Sequence, residues 1–214
     1  MIKAVIFDLD GVLRDSERVN IIAGVKAFEE MGIHIKKEEE KLIIGRHPAD
    51  YLKDFKENYD FDDDEYNKIK RPMYYKMIED VPLNPYAKPL FKLLKNNNIK
   101  LALVTSSSKS TVDEWFIDRF ELQNVFDIFV TFNDVIERKP SPECYLQALK
   151  KLNLKSEECV VIEDSEVGVE ASKNAEIKCI AIPTEWTKNG DFSKADKILQ
   201  SLKETTLELL GELQ

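Results

Sequence analysis

Two aspartates, Asp8 and Asp10, stand at alternate positions directly after the apolar run Ala4-Val5-Ile6-Phe7. Alternate side chains of an extended backbone point the same way, so both carboxylates leave one strand end side by side. Like charges this close repel unless something cationic lies between them. The pair therefore asks for a metal ion and for a phosphate-like ligand that uses it. Taken alone, Asp8-Leu9-Asp10-Gly11 reads more simply as a strand ending in a polar turn.

Three further sites decide between these readings. Thr105 and Ser106 follow the apolar run Leu101-Ala102-Leu103-Val104. Lys139-Pro140 lies in the loop beyond Ile128-Phe129-Val130, and Glu163-Asp164 closes Cys159-Val160-Val161-Ile162. Each is ordinary by itself: a hydroxyl after a strand is commonly a helix cap, a lysine before proline is solvated, an acidic pair is a turn. Together they bring carboxylates, hydroxyls and one ammonium to successive strand ends.

The elements that must position them follow from periodicity. Short, continuously apolar runs suit strands covered on both faces. These strands are predicted near residues 4–7, 100–104, 128–130, 159–162 and 178–182, with helices over about 88–95, 110–120, 141–152, 167–174 and 198–210. Strand alternating with helix gives a doubly wound parallel sheet, and ligands of such sheets bind at the carboxyl edge. Between the first two strands the pattern is helical throughout. Glu17 opens one helix that runs to about Met31, with Gly32 at its end. Lys36 to Lys41 reads as a solvated charged helix face. Pro48 starts a helix with Tyr51, Leu52, Phe55 and Tyr59 on one face. A third helix carries Tyr66, Ile69, Met73 and Met77 and is expected to kink or split at Pro72. The expected organisation is an α/β core, residues 1–14 and 82–214, with an all-helical cap domain, residues 15–81, inserted over the carboxyl edge of the sheet.

Composition bounds the function. The 214 residues hold one sizeable core plus an insert. A net charge of −9 argues against nucleic-acid binding, which needs a basic surface. No apolar run reaches membrane-spanning length and no signal peptide is evident. Cys144, Cys159 and Cys179 are odd in number and widely spaced, as reduced thiols of a cytoplasmic protein would be.

The ordered motifs Phe7-Asp8-Leu9-Asp10-Gly11-Val12-Leu13, Leu103-Val104-Thr105-Ser106-Ser107, Arg138-Lys139-Pro140-Ser141-Pro142 and Val161-Ile162-Glu163-Asp164-Ser165 resemble the haloacid dehalogenase superfamily. The resemblance is to the subfamily of phosphatases and β-phosphoglucomutases whose helical cap follows the first motif. It covers nearly the whole chain and is weakest in the cap. It implies a phosphoric monoester hydrolase with Asp8 as nucleophile and Asp10 as acid and base. Mg²⁺ would sit on the Asp8 carboxylate, the Asp10 backbone carbonyl and Asp164, with Glu163 as a further ligand or a support. Thr105, Ser106 and Lys139 would hold the phosphoryl group. Arg46, in a cap loop that reaches over the substrate in relatives, would bind a second phosphate or a carboxylate, or else be solvated; His47 would be a cap or surface residue. The implied partner is a small phosphorylated metabolite, with no nucleic acid or membrane, and the protein would be a monomer or small homo-oligomer. Three departures stand out. Glu176 occupies a turn where the family favours glycine, Pro85-Tyr86 replaces a Pro-Gly pair, and Asn20 stands where mutases and many sugar phosphatases of this group carry histidine. The last weakens the mutase reading.

Overall fold

The computed structural model describes residues 1–213; residue 214, the last of the expected core domain, lies outside the described residues. Six parallel strands form one sheet in the order β3-β2-β1-β4-β5-β6. They are β1 (Ala4–Phe7), β2 (Lys100–Val104), β3 (Ile128–Val130), β4 (Cys159–Glu163), β5 (Lys178–Ala181) and β6 (Lys197–Ile198). β1 is central, pairing Phe7 with Leu103 on one side and with Ile162 on the other. All four of its side chains are fully buried. Val5 and Phe7 enter one apolar layer, with Phe91 and Leu94 of helix α4 (Ala87–Asn96). Ala4 and Ile6 enter the opposite layer, with Tyr145 of α6 (Glu143–Leu152) and Val169 of α7 (Glu166–Asn174). A strand walled on both faces has no polar side to show, hence the unbroken apolar run. Burying Ile6 or Phe7 contributes roughly 1.5–3 kcal/mol each.

Between β1 and β2 lie α1 (Ser16–Glu30), a 3₁₀ segment (Lys37–Leu42), α2 (Pro48–Phe55) and α3 (Asp63–Ile78). These share an apolar cluster of their own, centred on Phe28, whose ring lies 4.6 Å from that of Tyr66 and 4.8 Å from that of Phe55. Their open side faces the carboxyl edge of the sheet. Arg14, buried at 3% exposure, ties the two connecting segments together. Its guanidinium donates to the carbonyls of Ile78, of Val81 (2.9 Å) and of Trp115 (2.6 Å), and it lies over the Phe120 ring.

Several expectations are corrected. α3 runs unbroken through Pro72 instead of splitting there. Tyr59 lies beyond the end of α2, and the charged run at 36–41 folds as a 3₁₀ turn rather than a longer helix. The helix expected over 110–120 is α5 (Lys109–Val112) continued as a π-helical stretch, Asp113–Asp118. The closing helix expected over 198–210 divides. Lys197–Ile198 instead adds the edge strand β6, Ser201 caps a 3₁₀ turn at Leu202–Glu204, and α8 (Leu207–Glu212) starts only after Thr206 caps it. Hydroxyl side chains that satisfy backbone donors locally interrupt a helix, and two such residues stand in the stretch that periodicity read as continuous. Glu176, in place of the family's glycine, takes the left-handed conformation at φ 59°.

Candidate active site

The carboxyl ends of β1, β2 and β4 and the loop after β3 converge on a cavity of about 380 Å³ roofed by the helical insert. Asp8, Asp10, Ser106, Lys139 and Asp164 line it from the sheet side. Glu17, Asn20, Arg46, His47 and Lys70 line it from the helices. Two contacts close its rim: an ion pair of Asp50 with Arg138 at 2.8 Å, and the His47 ring stacked on Phe132 at 3.7 Å.

Charge governs the floor. Asp8, Glu163 and Asp164 are all at most 6% exposed, and one oxygen from each lies within 4.8 Å of the others. Lys139 Nζ donates to Asp8 Oδ1 and to Glu163 Oε1, 2.6 Å in each case. Three carboxylates thus face one ammonium. Burial, above all, pushes the Asp8 carboxyl well above the usual carboxylate range, against the pull of Lys139 and with the push of Glu163 and Asp10. Asp164 is raised likewise, by burial and then by Glu163 and Asp8. Burial alone would push the Lys139 ammonium down, but Asp8 and Glu163 together outweigh it and hold its pKa well above the ordinary value.

These carboxylates fit a hard divalent cation. Every donor is oxygen, which suits Mg²⁺ rather than zinc. Asp164 Oδ2 is buried without a hydrogen-bond partner, a costly state for an anion that a cation would relieve. Space for that carboxylate comes from Gly11, at φ +87°, because a Cβ there would overlap Asp164. Glu163 differs from the other two. Oε1 accepts from Lys139 and from Tyr145, and Oε2 accepts from the backbone N–H groups of Asp164 and Ser165 and from Ser165 Oγ. Both its oxygens are therefore engaged by protein donors. Gly168 approaches Glu163 so closely that a side chain there would overlap the carboxylate.

Asp10 is held by three hydroxyls. Ser16 donates to Oδ1, while Thr105 (3.2 Å) and Ser107 (2.9 Å) donate to Oδ2. Sequence reasoning assigned Thr105 to the phosphoryl group, yet its side chain is buried and turned to Asp10; Ser106 is the neighbour that lines the cavity. Arg46 lines the cavity and pairs with Asp54 at 2.5 Å, its side chain still partly exposed. His47 caps α2, accepting from the Ala49 N–H. Burial first, then Lys70 and Arg138, lowers its pKa to about 3, which keeps the ring neutral.

The helical wall holds residues that the motifs did not single out. Lys70 is buried and donates to Asn20 Oδ1 (2.5 Å) and to the Tyr51 hydroxyl (2.8 Å). Asn20 donates to Glu17, which also accepts from the Gly45 N–H. Burial raises Glu17 to about 7. Burial lowers Lys70 to about 7 despite the attraction of Glu17 and Asp10. Ser16 and Ser107 were also missed. A serine one residue before a helix-opening acid reads as a cap, and nothing local says that it turns back to Asp10.

The profile of the haloacid dehalogenase-like hydrolases matches residues 5–182. The phosphorylated carbohydrates phosphatase of Thermotoga maritima is 35% identical over 181 residues, covering 83% of each chain. CbbY of Rhodobacter sphaeroides, in complex with xylulose-1,5-bisphosphate, has a TM-score of 0.84 at 28% identity and covers 95% of this chain and 96% of its own. The β-phosphoglucomutase of Clostridium difficile superposes at a TM-score of 0.81 with 26% identity, over 100% of this chain and 97% of its own. No described helix is long and apolar enough to cross a membrane. With the four motif-bearing strand ends gathered at one sheet edge and a family match over most of its length, the chain belongs to the haloacid dehalogenase-like hydrolases.

Proposed function

We propose that the protein is a Mg²⁺-dependent phosphatase that hydrolyses a small phosphorylated metabolite through a phosphate ester of Asp8. The observation that carries this reading is the Asp8 carboxylate, fixed by Lys139 on the floor of the cavity beneath the helical insert, beside an Asp10 side chain that three hydroxyls hold. An Asp8 oxygen attacks phosphorus as the bond to the leaving oxygen breaks. Asp10 gives that oxygen a proton, then takes one from the water that releases inorganic phosphate. Ser106 donates to the phosphoryl oxygens, and Lys139 lends them positive charge. Thr105, with Ser16 and Ser107, orients Asp10. Asp8, Asp164 and the Asp10 backbone carbonyl would hold the cation, and Glu163 supports Lys139. When bound, Mg²⁺ supplies the positive charge that offsets these carboxylates and a phosphate dianion together.

The helical insert acts as the cap, with Arg14 at its hinge and the Asp50–Arg138 pair at its rim. Glu17, Asn20 and Lys70 face the part of the substrate beyond phosphorus. Asn20 supports hydrolysis over transfer to a second sugar, because an amide neither takes up nor releases a proton at neutral pH. The Thermotoga relative's carbohydrate phosphates make sugar phosphates the first substrates to screen.

Phosphate release across a metabolite panel tests the proposal. Turnover of at least one phosphomonoester is expected, falling at least about 100-fold on chelation and returning with Mg²⁺. Full activity in excess chelator would remove the cation from the account. Glucose 6-phosphate formed from β-glucose 1-phosphate and a bisphosphate primer, without phosphate release, would favour a mutase.

A further inference from the structure

Tyr145 lies on α6, six residues beyond Lys139, and is fully buried. Its inner neighbours Cys144, Ala148 and Leu152 pack in the apolar layer beneath the sheet. Phenylalanine would meet that packing equally well, so the hydroxyl needs a separate reason. A buried tyrosine hydroxyl requires a partner, and this one donates to Glu163 Oε1 at 2.7 Å. The same oxygen accepts from Lys139 at 2.6 Å. The tyrosine ring also faces the ammonium, with Lys139 Nζ 5.3 Å from its centroid. One side chain thus meets Lys139 in two ways, by its ring directly and by its hydroxyl through Glu163.

We propose that Tyr145 is a positioning residue for Lys139, setting how far the ammonium leans toward Asp8 and the cavity rather than toward Glu163. The proposal rests on the role given to Lys139 above. A lysine is a point charge on a flexible stem, with three rotatable donors and no preferred fork. Lys139 spends two donors on Asp8 and Glu163 at equal lengths, which leaves one hydrogen for a ligand in the cavity it lines. Glu163 is fixed on its other side by the 164–165 backbone and Ser165. Its grip on Lys139 is therefore set at Oε1. The Tyr145 hydroxyl occupies part of that oxygen's accepting capacity and weakens its hold on the ammonium. Without the hydroxyl, Glu163 Oε1 answers to Lys139 alone, and the ammonium is drawn off Asp8.

A double-mutant cycle separates positioning from general support of the fold. Four proteins are compared: native, Tyr145→Phe, Lys139→Ala, and the double variant. The readouts are single-turnover rates on an aryl phosphate and the affinity for inorganic phosphate measured by calorimetry, with folding checked by circular dichroism. Tyr145→Phe is expected to stay folded, to slow turnover about tenfold and to weaken phosphate binding several-fold. In the Lys139→Ala background the same change should alter either quantity by less than about twofold. Calorimetry keeps the cycle readable where turnover is too slow to follow. Tyr145→Leu, which removes the ring as well, should cost more than Tyr145→Phe only while Lys139 is present. Equal costs in both backgrounds, a Tyr145→Phe variant within twofold of native, or one that fails to fold would overturn the proposal. A Lys139→Ala protein as active as native would instead remove the role of Lys139, so the two failures are distinct.

Discussion

Asp8→Asn is expected to abolish phosphate release from every substrate the native protein turns over, without loss of the fold. Asparagine matches aspartate in size but its amide oxygen is a poor nucleophile. Loss of a covalent nucleophile lowers turnover by roughly a millionfold in hydrolases where it has been isolated. The stability side of the expectation is equally specific. Asp8 is buried against Glu163 and Asp164, and burial holds its carboxyl well above the usual range. A group whose folded pKa is raised favours the folded state below its unfolded pKa and costs stability as pH rises through the folded value. At neutral pH the native, metal-free protein therefore carries a penalty that the neutral amide removes. Asp8→Asn should melt no lower than native in chelator near neutral pH, and its advantage should shrink on acidification. Turnover within about 100-fold of native would mean that Asp8 is not the attacking group.

Lys139→Met should damage both activity and stability. The ammonium is the sole cation in contact with Asp8 and Glu163 among the described residues, and it is itself buried. Removing one partner of a buried ion pair typically costs about 3–5 kcal/mol, because the remaining charges stay desolvated and unpaired. Here two carboxylates are left. The loss should be largest at neutral pH and smaller in mild acid, where the Asp8 carboxyl, raised by burial, takes up a proton and relieves it. Native protein should lose the same stabilisation only on strong alkalinisation, since the folded pKa of Lys139 lies well above its ordinary value. Turnover should fall by about 10²–10³, the scale of one lost charge-stabilising donor. Urea midpoints at the two pH values, with initial rates, read both effects. An unchanged midpoint together with a lowered rate would confine Lys139 to catalysis.

The sheet was legible in the sequence because a strand buried on both faces leaves an unbroken apolar run. Ala4–Phe7, Lys100–Val104, Ile128–Val130 and Cys159–Glu163 all fall where those runs stand. β6 was not legible, since Lys197 and Ile198 are both exposed on an edge and carry no such run. The gathering of Asp8, Asp10, Lys139, Glu163 and Asp164 at one edge follows from parallel strands in order. What single-sequence reasoning could not supply was the direction of individual side chains within loops. Thr105 and Ser106 are adjacent hydroxyls, and only the turn after β2 decides that Thr105 meets Asp10 while Ser106 lines the cavity. Arg46 finds Asp54 on the following helix, a pairing set by how α2 packs. Nothing in the sequence singles out Tyr145, because its hydroxyl's partner lies on a strand begun fourteen residues later.

The most direct test of the central claim is to look for the phosphate ester itself. Asp10→Asn leaves Asp8, Lys139 and Asp164 in place but removes the group assigned to protonate the leaving oxygen and then to activate water; an aryl phosphate, whose leaving oxygen departs without a proton, spares the first step and leaves the second blocked. Incubated with an aryl phosphate and Mg²⁺, then acid-quenched and digested, this variant should yield one peptide heavier by a phosphoryl group, with the modification on Asp8. An Asp10→Asn protein that turns over at nearly the native rate, or that carries its phosphate on any residue other than Asp8, would contradict the account.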